Sequence, residues 1–270
     1  RTSVSTELDK ARSLMETASD SSLAILDNIT SPEKLSEKEY AAYCLLLTQA
    51  LDKNYYIHDS DSLIMIATNY YEKHNDLLPL ALSYYYAGRV YSDMQDALQA
   101  QQYYLKALAL GESLNLPELL IKINSNLGTL YSYQDIYEMA LPLYKKTLPL
   151  FENTNDSTNM SFVLRNIARV FTETQQQDSA IYYYQQAIKM ATSQSISALQ
   201  NGLGSLYLQT GKYSEAYDCI QKAIHSCNNP KLLYPFYLNL GEYYYKTAQY
   251  DSAQYYLNYS LQSPILYTQA

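Results

Sequence analysis

The side chains that most often carry out chemistry are few and scattered in this chain. Cys219 and Cys227 lie eight residues apart on one predicted helix, about 12 Å along its axis, whereas a disulfide needs Cα atoms within about 7 Å. Cys44 is distant in sequence, and three histidines stand apart: His58, His74 and His225. CxxC, His-x3-His and carboxylate–histidine clusters are absent, as is any set of nucleophile, base and orienting group. The sequence predicts no metal, no cofactor and no enzyme activity.

Gly-Leu-Gly at 202–204 has the spacing of a phosphate loop, but no strand precedes it. Its second glycine instead belongs to a longer pattern, in which a small residue is followed twelve positions later by alanine. The small residues are Gly88, Gly128, Ala168, Gly204 and Gly241, and the alanines are Ala100, Ala140, Ala180, Ala216 and Ala253. An aromatic ring stands three residues after each small residue: Tyr91, Tyr131, Phe171, Tyr207 and Tyr244. A unit recurring every 36 to 40 residues predicts an array of stacked helix pairs.

The fixed interval is what two closely packed antiparallel helices require. A glycine or alanine on one helix facing an alanine on the other allows the backbones to approach to the short end of the usual 8–10 Å separation. The aromatic ring one turn further on is expected to fill the space between neighbouring pairs. These positions therefore predict an all-α chain.

The pattern resembles the tetratricopeptide repeat (TPR), whose signature runs aromatic, Leu-Gly, Tyr, Ala, aromatic, Ala over two helices. The best match reads Tyr84, Ala87, Gly88, Tyr91, Ala100, Tyr104, Ala107. The resemblance implies an α-α superhelix in which first helices line a concave face and second helices a convex one. The period exceeds the 34 residues of the family, so the chain looks like the longer-period bacterial type, and longer second helices are expected.

We expect one TPR-like solenoid domain over residues 1–270, with about fourteen helices in seven antiparallel pairs. Residues 1–76 form degenerate pairs, including a first helix over 36–54 and its partner over 61–73; residues 77–262 form five recognisable repeats; and residues 263–270 start a further helix that is cut off. Asp-Ser steps such as Asp178-Ser179 are expected to supply N-caps to second helices. Pro142 predicts a kink or a late helix start, because it lies two residues after Ala140.

Composition narrows the partner and the setting. The net charge is −8 and only 17% of residues are charged, so the segment lacks the clustered bases that a nucleic-acid binder needs. It contains no apolar stretch of membrane-spanning length. The stretches 35–40 and 70–74 resemble bacterial TPR proteins tethered in the cell envelope, which implies an extracytoplasmic location; a cytoplasmic one is the alternative.

Thirty-two tyrosines and no tryptophan are unusual, and three tyrosines stand in a row at 84–86, 182–184 and 243–245. Successive helical residues point 100° apart, so some rings must lie at seams between pairs or on the surface. One interpretation is that tyrosine replaces phenylalanine as a seam filler. The other is a ring-lined groove that holds a peptide or a sugar, of which the sugar is less favoured without tryptophan.

The candidate binding residues are first-helix positions that are not used in packing. They lie three residues before, two residues before and one residue after each small residue. They are Tyr85, Arg89, Asn126, Thr129, Arg165, Asn166, Arg169, Asn201, Asn239 and Glu242. In peptide-binding TPR proteins an asparagine in the slot of Asn126, Asn166 and Asn239 bonds the backbone of the ligand. Arg165 and Arg169 lie one turn apart, which suggests an acidic peptide; local ion pairing on a solvated face is the alternative.

The sequence therefore predicts a non-catalytic scaffold that binds a protein or peptide in the concave groove. The first alternative is a ligand-sensing input module of a larger membrane-associated regulator. The second is a carbohydrate-capture protein, which would need solvent-facing tyrosine rings along one groove.

Overall fold

A computed structural model describes residues 4–152 and 156–262, and these residues form fourteen α-helices and three short 3-10 turns. The prediction of an all-α chain built from about fourteen helices is confirmed. The helices group into two compact units, residues 1–134 (unit 1) and residues 135–270 (unit 2). The prediction of a single solenoid domain stays a prediction, and its truncated helix at 263–270 lies outside the described residues.

Unit 1 holds seven helices: α1 Val4–Leu14, α2 Ser19–Asp27, α3 Glu37–Lys53, α4 Ser62–His74, α5 Leu77–Asp93, α6 Ala97–Ser113 and α7 Pro117–Tyr133. Unit 2 holds seven more: α8 Tyr137–Thr147, α9 Ser157–Glu173, α10 Gln177–Lys189, α11 Ile196–Gln209, α12 Tyr213–Ser226, α13 Leu233–Lys246 and α14 Tyr250–Ser260. The 3-10 turns are Pro32–Lys34, Leu148–Phe151 and Pro230–Leu232. Within the described residues, no helix is both long enough and apolar enough to span a membrane.

Each unit is built from consecutive antiparallel pairs. In unit 1, α1 packs on α2, α3 on α4 and α5 on α6; in unit 2, α9 packs on α10, α11 on α12 and α13 on α14. The first helices of unit 1 also contact one another in order, α1 with α3, α3 with α5 and α5 with α7. They therefore form an inner layer, and the second helices lie outside it.

The small residues lie in the helix–helix seams, as the interval predicted. A Cβ atom built on Gly88 would lie 2.5 Å from the ring of Tyr104, and one on Gly204 would lie 2.7 Å from Ile220 Cγ1. The residue that needs the glycine is thus the one sixteen positions later, while the alanine twelve positions later is fully buried beside it. Because the side chain sixteen positions later is large and packs directly on this site, only a small residue fits there in each repeat.

The aromatic rings stack inside the pairs. Three rings that stand three residues after a small residue each stack on the tyrosine twelve positions later, at centroid distances of 5.4 to 5.5 Å: Tyr91 on Tyr103, Phe171 on Tyr183 and Tyr244 on Tyr256. The expected contact between neighbouring pairs also occurs, since the Tyr91 hydroxyl donates to Asp61 in the preceding pair at 2.6 Å. The main contact of each ring is therefore between the two helices of its own pair.

Three local expectations are wrong. The Asp-Ser steps do not supply capping bonds to second helices: Asp61 is the N-cap residue of α4 but its side chain makes no capping bond, and α10 and α14 begin earlier than their steps, at Gln177 and Tyr250. The late start expected for Pro142 is wrong, since α8 begins three residues before Ala140, as α6 does before Ala100, and Pro142 lies inside the helix; a kink there stays a prediction. Most second helices are not lengthened, with 13 residues in α4 and α10. The added turn instead lies at the start of α5, α7 and α9, which begin eleven residues before their small residue.

One connection departs from the repeat. The turns within the pairs α5–α6, α9–α10, α11–α12 and α13–α14 have three residues, whereas α3 and α4 are joined by the eight residues 54–61. Tyr55 takes the left-handed position, with a φ of 62°, that Gln95 takes in the next pair. The residues after it are an insertion that returns to α5, where the His58 amide donates to Asp93 at 3.1 Å.

Candidate functional site

The inner layer of unit 1 presents one stripe of side chains from each of three helices. Because α3, α5 and α7 begin 40 residues apart, equivalent positions lie in rows across the helices. Positions four, seven and eleven residues beyond the start of each stripe share one helical face. The stripes are Lys38, Ala42, Leu45 and Gln49 on α3; Leu78, Leu82, Tyr85 and Arg89 on α5; and Glu118, Lys122, Ser125 and Thr129 on α7.

A cavity of about 720 Å³ lies over the first half of these stripes. Its floor is apolar and includes Leu45, Leu46 and Leu82, and Met15, in the turn after α1, closes one side. The volume is within the range of pockets that hold small molecules and short peptides. The cavity is therefore large enough to be a binding site.

Gln49 is one of the uncharged polar side chains that line this cavity, together with Tyr71. Its side chain is buried, with 9% of its surface exposed, and its amide has no hydrogen-bond partner within residues 4–152 and 156–262. Its amide atoms are not fully shielded from solvent, so water in the cavity can bond them, and a ligand with both a donor and an acceptor would replace that water. Gln49 can therefore bond a backbone amide group of a peptide.

The rim of the cavity carries both signs of charge. Glu16, in the turn after α1, pairs with Lys53 at 2.7 Å and with Lys122 at 3.3 Å. Burial opposes the charge on Glu16, but the two lysines outweigh it and lower the pKa of the carboxyl group. Glu16 therefore ties the α1–α2 turn to both α3 and α7.

The second half of the stripes is closed by internal bonds. Arg89 Nε lies 2.8 Å from Asp52 and its guanidinium lies 3.9 Å from Asp93. Burial opposes its charge, and Asp52 more than offsets this, so the pKa of Arg89 is raised. Tyr85 is buried, and its hydroxyl accepts a hydrogen bond from Asn126 at 3.1 Å.

His58 completes the cluster at this end. Ligand atoms of Asp52, His58 and Asp93 lie within 4.8 Å of one another, and His58 Nε2 is shielded from solvent without a hydrogen-bond partner. Burial lowers the pKa of His58, partly opposed by Asp93 and Asp52. Arg89 already supplies the positive charge that the two carboxylates need, which disfavours a metal ion between them.

The predicted residues of unit 2 form a second group. Asn239 Nδ2 donates to Asn201 Oδ1 at 2.9 Å and joins α13 to α11, and Glu242 pairs with Lys246 at 3.5 Å. Asn166 is buried in α9, where the Arg165 guanidinium lies 4.7 Å from the centre of the Phe162 ring. Arg169 is exposed. Arg169 is therefore the exposed member of this group, whereas Arg165 is half-buried and its Nε is shielded from solvent.

The structure thus brings together Tyr85 with Asn126 and Asn201 with Asn239, but none of the ten predicted residues lines the 720 Å³ cavity. Leu45, Leu46 and Gln49, which do line it, occupy the same slots three and two before and one after the small-residue position, here Thr48. The 40-residue interval counted back from Gly88 would have found them. Whether the ten residues bind a partner stays a prediction.

Solved structures with low sequence identity share the fold. The apo form of the quorum sensor NprR from B. thuringiensis has a TM-score of 0.75 at 18% identity, covering 96% of this chain and 76% of NprR. A Rap protein complexed with Competence and Sporulation Factor has a TM-score of 0.69 at 16% identity, covering 100% and 79%. YrrB, described as a TPR protein with an unusual peptide-binding site, has a TM-score of 0.52 at 17% identity, covering 73% and 92%. These likenesses show the fold alone, a TPR superhelix.

A search of the curated proteins finds no match to the sequence. Descriptions of the tetratricopeptide repeat family match residues 79–153, 119–193 and 198–229, which together are just over half of the chain. The chain belongs to the tetratricopeptide repeat family.

Proposed function

We propose that this chain is a non-catalytic peptide-binding module, and that the cavity of unit 1 receives a short peptide with mainly apolar side chains. The observation that carries the proposal is the Gln49 amide, which has no hydrogen-bond partner among the described residues and lines a largely apolar cavity of about 720 Å³. Apolar side chains of the peptide would cover Leu45, Leu46 and Leu82, and its backbone would bond Gln49.

The solved structures support a peptide as the ligand class. The Rap protein is a complex with Competence and Sporulation Factor, and YrrB is described as having a peptide-binding site. The rim of the cavity supports a peptide without a strong net charge, because three bases and three acids line it: Arg12, Lys38, Lys122, Glu16, Asp76 and Glu118. An acidic preference is proposed only for Arg165 and Arg169 of unit 2.

The test is binding of a random peptide library, measured with wild-type protein and with Ala42→Trp, which fills the cavity from its partly exposed wall. Leu98→Trp is the matched control, because Leu98 is an exposed residue of α6 outside the cavity. We expect apolar peptides to be enriched by wild type and Leu98→Trp and lost with Ala42→Trp. Gln49→Ala should weaken the enriched peptides by about tenfold, the effect of one lost hydrogen bond. Equal enrichment by Ala42→Trp would contradict the proposal.

A second candidate is a ligand-sensing module, as the sequence also suggested. It is supported by the likeness to the quorum sensor NprR and by Glu16, which joins the α1–α2 turn to the rim of the cavity. A ligand that displaces Glu16 would release this turn. Hydrogen exchange of residues 15–18 that rises on binding of an enriched peptide supports sensing, and unchanged exchange supports a passive scaffold.

An extracytoplasmic location, with tethering of the full-length protein, is also proposed. Its support is the low charged fraction and the resemblance at residues 35–40 and 70–74. Fractionation of the native cells, with an antibody against this segment, would test it. Recovery with the cytosolic fraction would contradict it.

A further inference from the structure

Unit 2 contains a separate pocket of about 320 Å³ between α12, α13 and α14. Four of its lining residues are tyrosines: Tyr237, Tyr255, Tyr256 and Tyr259. The other polar side chain that lines it is Gln221. This pocket shares no residue with the peptide cavity.

The rings of the pocket form two corners. Tyr255 meets Tyr256 at an angle of 86° with centroids 5.1 Å apart, and Tyr237 meets Tyr259 at 80° with centroids 5.0 Å apart. Tyr255 and Tyr259 keep 64% and 40% of their surface exposed. Each corner thus combines a partly buried ring with one whose surface is open to solvent.

The phenol groups are available for hydrogen bonds. In the part of the chain that the structure describes, the hydroxyls of these four tyrosines have no hydrogen-bond partner. Burial and the neighbouring phenols of Tyr259, Tyr256 and Tyr255 raise the pKa of Tyr237, so its hydroxyl stays protonated at neutral pH. Each phenol both donates and accepts, and the Gln221 amide adds a further donor and acceptor.

The chemistry of the lining suits a ligand with an apolar face and many hydroxyls. Among the described residues that line the pocket, none is an acid, a base or a histidine, so neither a cation nor an anion meets an opposite charge. A purely apolar ligand would cover the rings but leave the phenol hydroxyls without partners. A sugar ring satisfies both requirements, since its C–H face packs on an aromatic ring and its hydroxyls exchange hydrogen bonds at the edge.

We propose that the α12–α14 pocket is a carbohydrate-binding site that takes one saccharide unit, with Tyr255 and Tyr259 as its stacking platforms. This goes beyond the peptide-binding function and is independent of it, because it rests on residues of unit 2 alone. Carbohydrate capture is expected to need solvent-facing tyrosine rings along one groove; here Tyr255 and Tyr259 supply two such rings in one pocket.

The test is saturation-transfer difference NMR of the full chain with methyl β-glucoside, N-acetylglucosamine, cellobiose and N,N′-diacetylchitobiose. We expect transfer to at least one of these sugars, strongest at the C–H protons of one ring face. Combined Tyr255→Ala and Tyr259→Ala should abolish it, and Tyr182→Ala should not, because Tyr182 is an exposed tyrosine of α10 outside the pocket.

Combined Tyr255→Phe and Tyr259→Phe separates the rings from their hydroxyls and is safe for the fold. It should retain transfer with about tenfold weaker binding or more. Absence of transfer to all four sugars would overturn the proposal. So would transfer that the two alanine substitutions leave unchanged in a protein with wild-type circular dichroism.

Discussion

The Asp52 carboxylate accepts a hydrogen bond from Arg89 Nε at 2.8 Å and thereby joins α3 to α5 at the closed end of the inner stripes. The sequence placed Arg89 among residues that would meet a ligand. The structure gives its charge to two carboxylates of the chain itself. Arg89 therefore holds neighbouring repeats together.

Arg89→Ala should destabilise the protein by about 1–3 kcal/mol, because it leaves the largely buried Asp52 and Asp93 without their cation. Urea unfolding followed by circular dichroism measures the change. Combining Arg89→Ala with Asp52→Asn should cost less than the sum of the two single substitutions. Additive effects would show that the pair contributes nothing.

Gly88→Ala should destabilise by about 1–3 kcal/mol, because the new methyl group would lie 2.5 Å from the buried Tyr104 ring. Gly111→Ala is the matched control in the same helix pair. Its nearest neighbour is the flexible end of Leu120 at 3.1 Å, and alanine is favoured over glycine in a helix by up to about 1 kcal/mol. Thermal unfolding that ranks the two variants in the opposite order would contradict the seam described for Gly88.

Stability should fall as the pH drops below about 6.5, the ordinary pKa of histidine. Burial lowers the pKa of folded His58, so the unfolded chain takes up a proton that the folded chain does not. The loss should level off once the pH is below the folded pKa. His58 faces Asp93, Asp52, Arg89 and Asp59, and His58→Gln should remove this part of the pH dependence. A His58→Gln profile parallel to that of wild type between pH 7 and 5 would contradict it.

Arg165→Ala combined with Arg169→Ala should abolish capture of acidic peptides, if α9 provides the acidic preference. The exposed Arg169 and the Arg165 that lies over Phe162 are the cations concerned. Capture of neutral apolar peptides should persist, since it depends on unit 1. Undiminished capture of acidic peptides would show that these arginines lie on a solvent-exposed face and do not bind the ligand.

The helix pairs could be predicted because a glycine, its alanine and its +16 neighbour recur at fixed spacing, and close packing permits few alternatives there. The cavity could not be predicted in the same way. In α3 the small-residue slot holds Thr48, so the signature fails there although Leu45, Leu46 and Gln49 keep the geometry. Arg89 and Asn126 bond Asp52 and Tyr85, partners that come from other helices and that the spacing within one helix does not indicate.

The insertion at 54–61 was likewise invisible to periodicity. His58 looked like an isolated residue, and only the return of the loop to α5 brings it to Asp93. The caps expected at Asp178 and Asp251 do not form because α10 and α14 begin three residues before their alanines, Ala180 and Ala253. Packing between the helices of a pair sets that starting point.

The identical 40-residue offset of α3, α5 and α7 makes the inner layer of unit 1 a molecular ruler. Neighbouring packed helices are about 8–10 Å apart, and an extended chain advances about 3.3 Å per residue. A peptide crossing these helices would therefore meet the stripe of the next helix about every third residue. The side-chain preference along such a peptide should therefore repeat every three residues. This period is set by the spacing of the helices, and the intervening residues of the peptide should matter little.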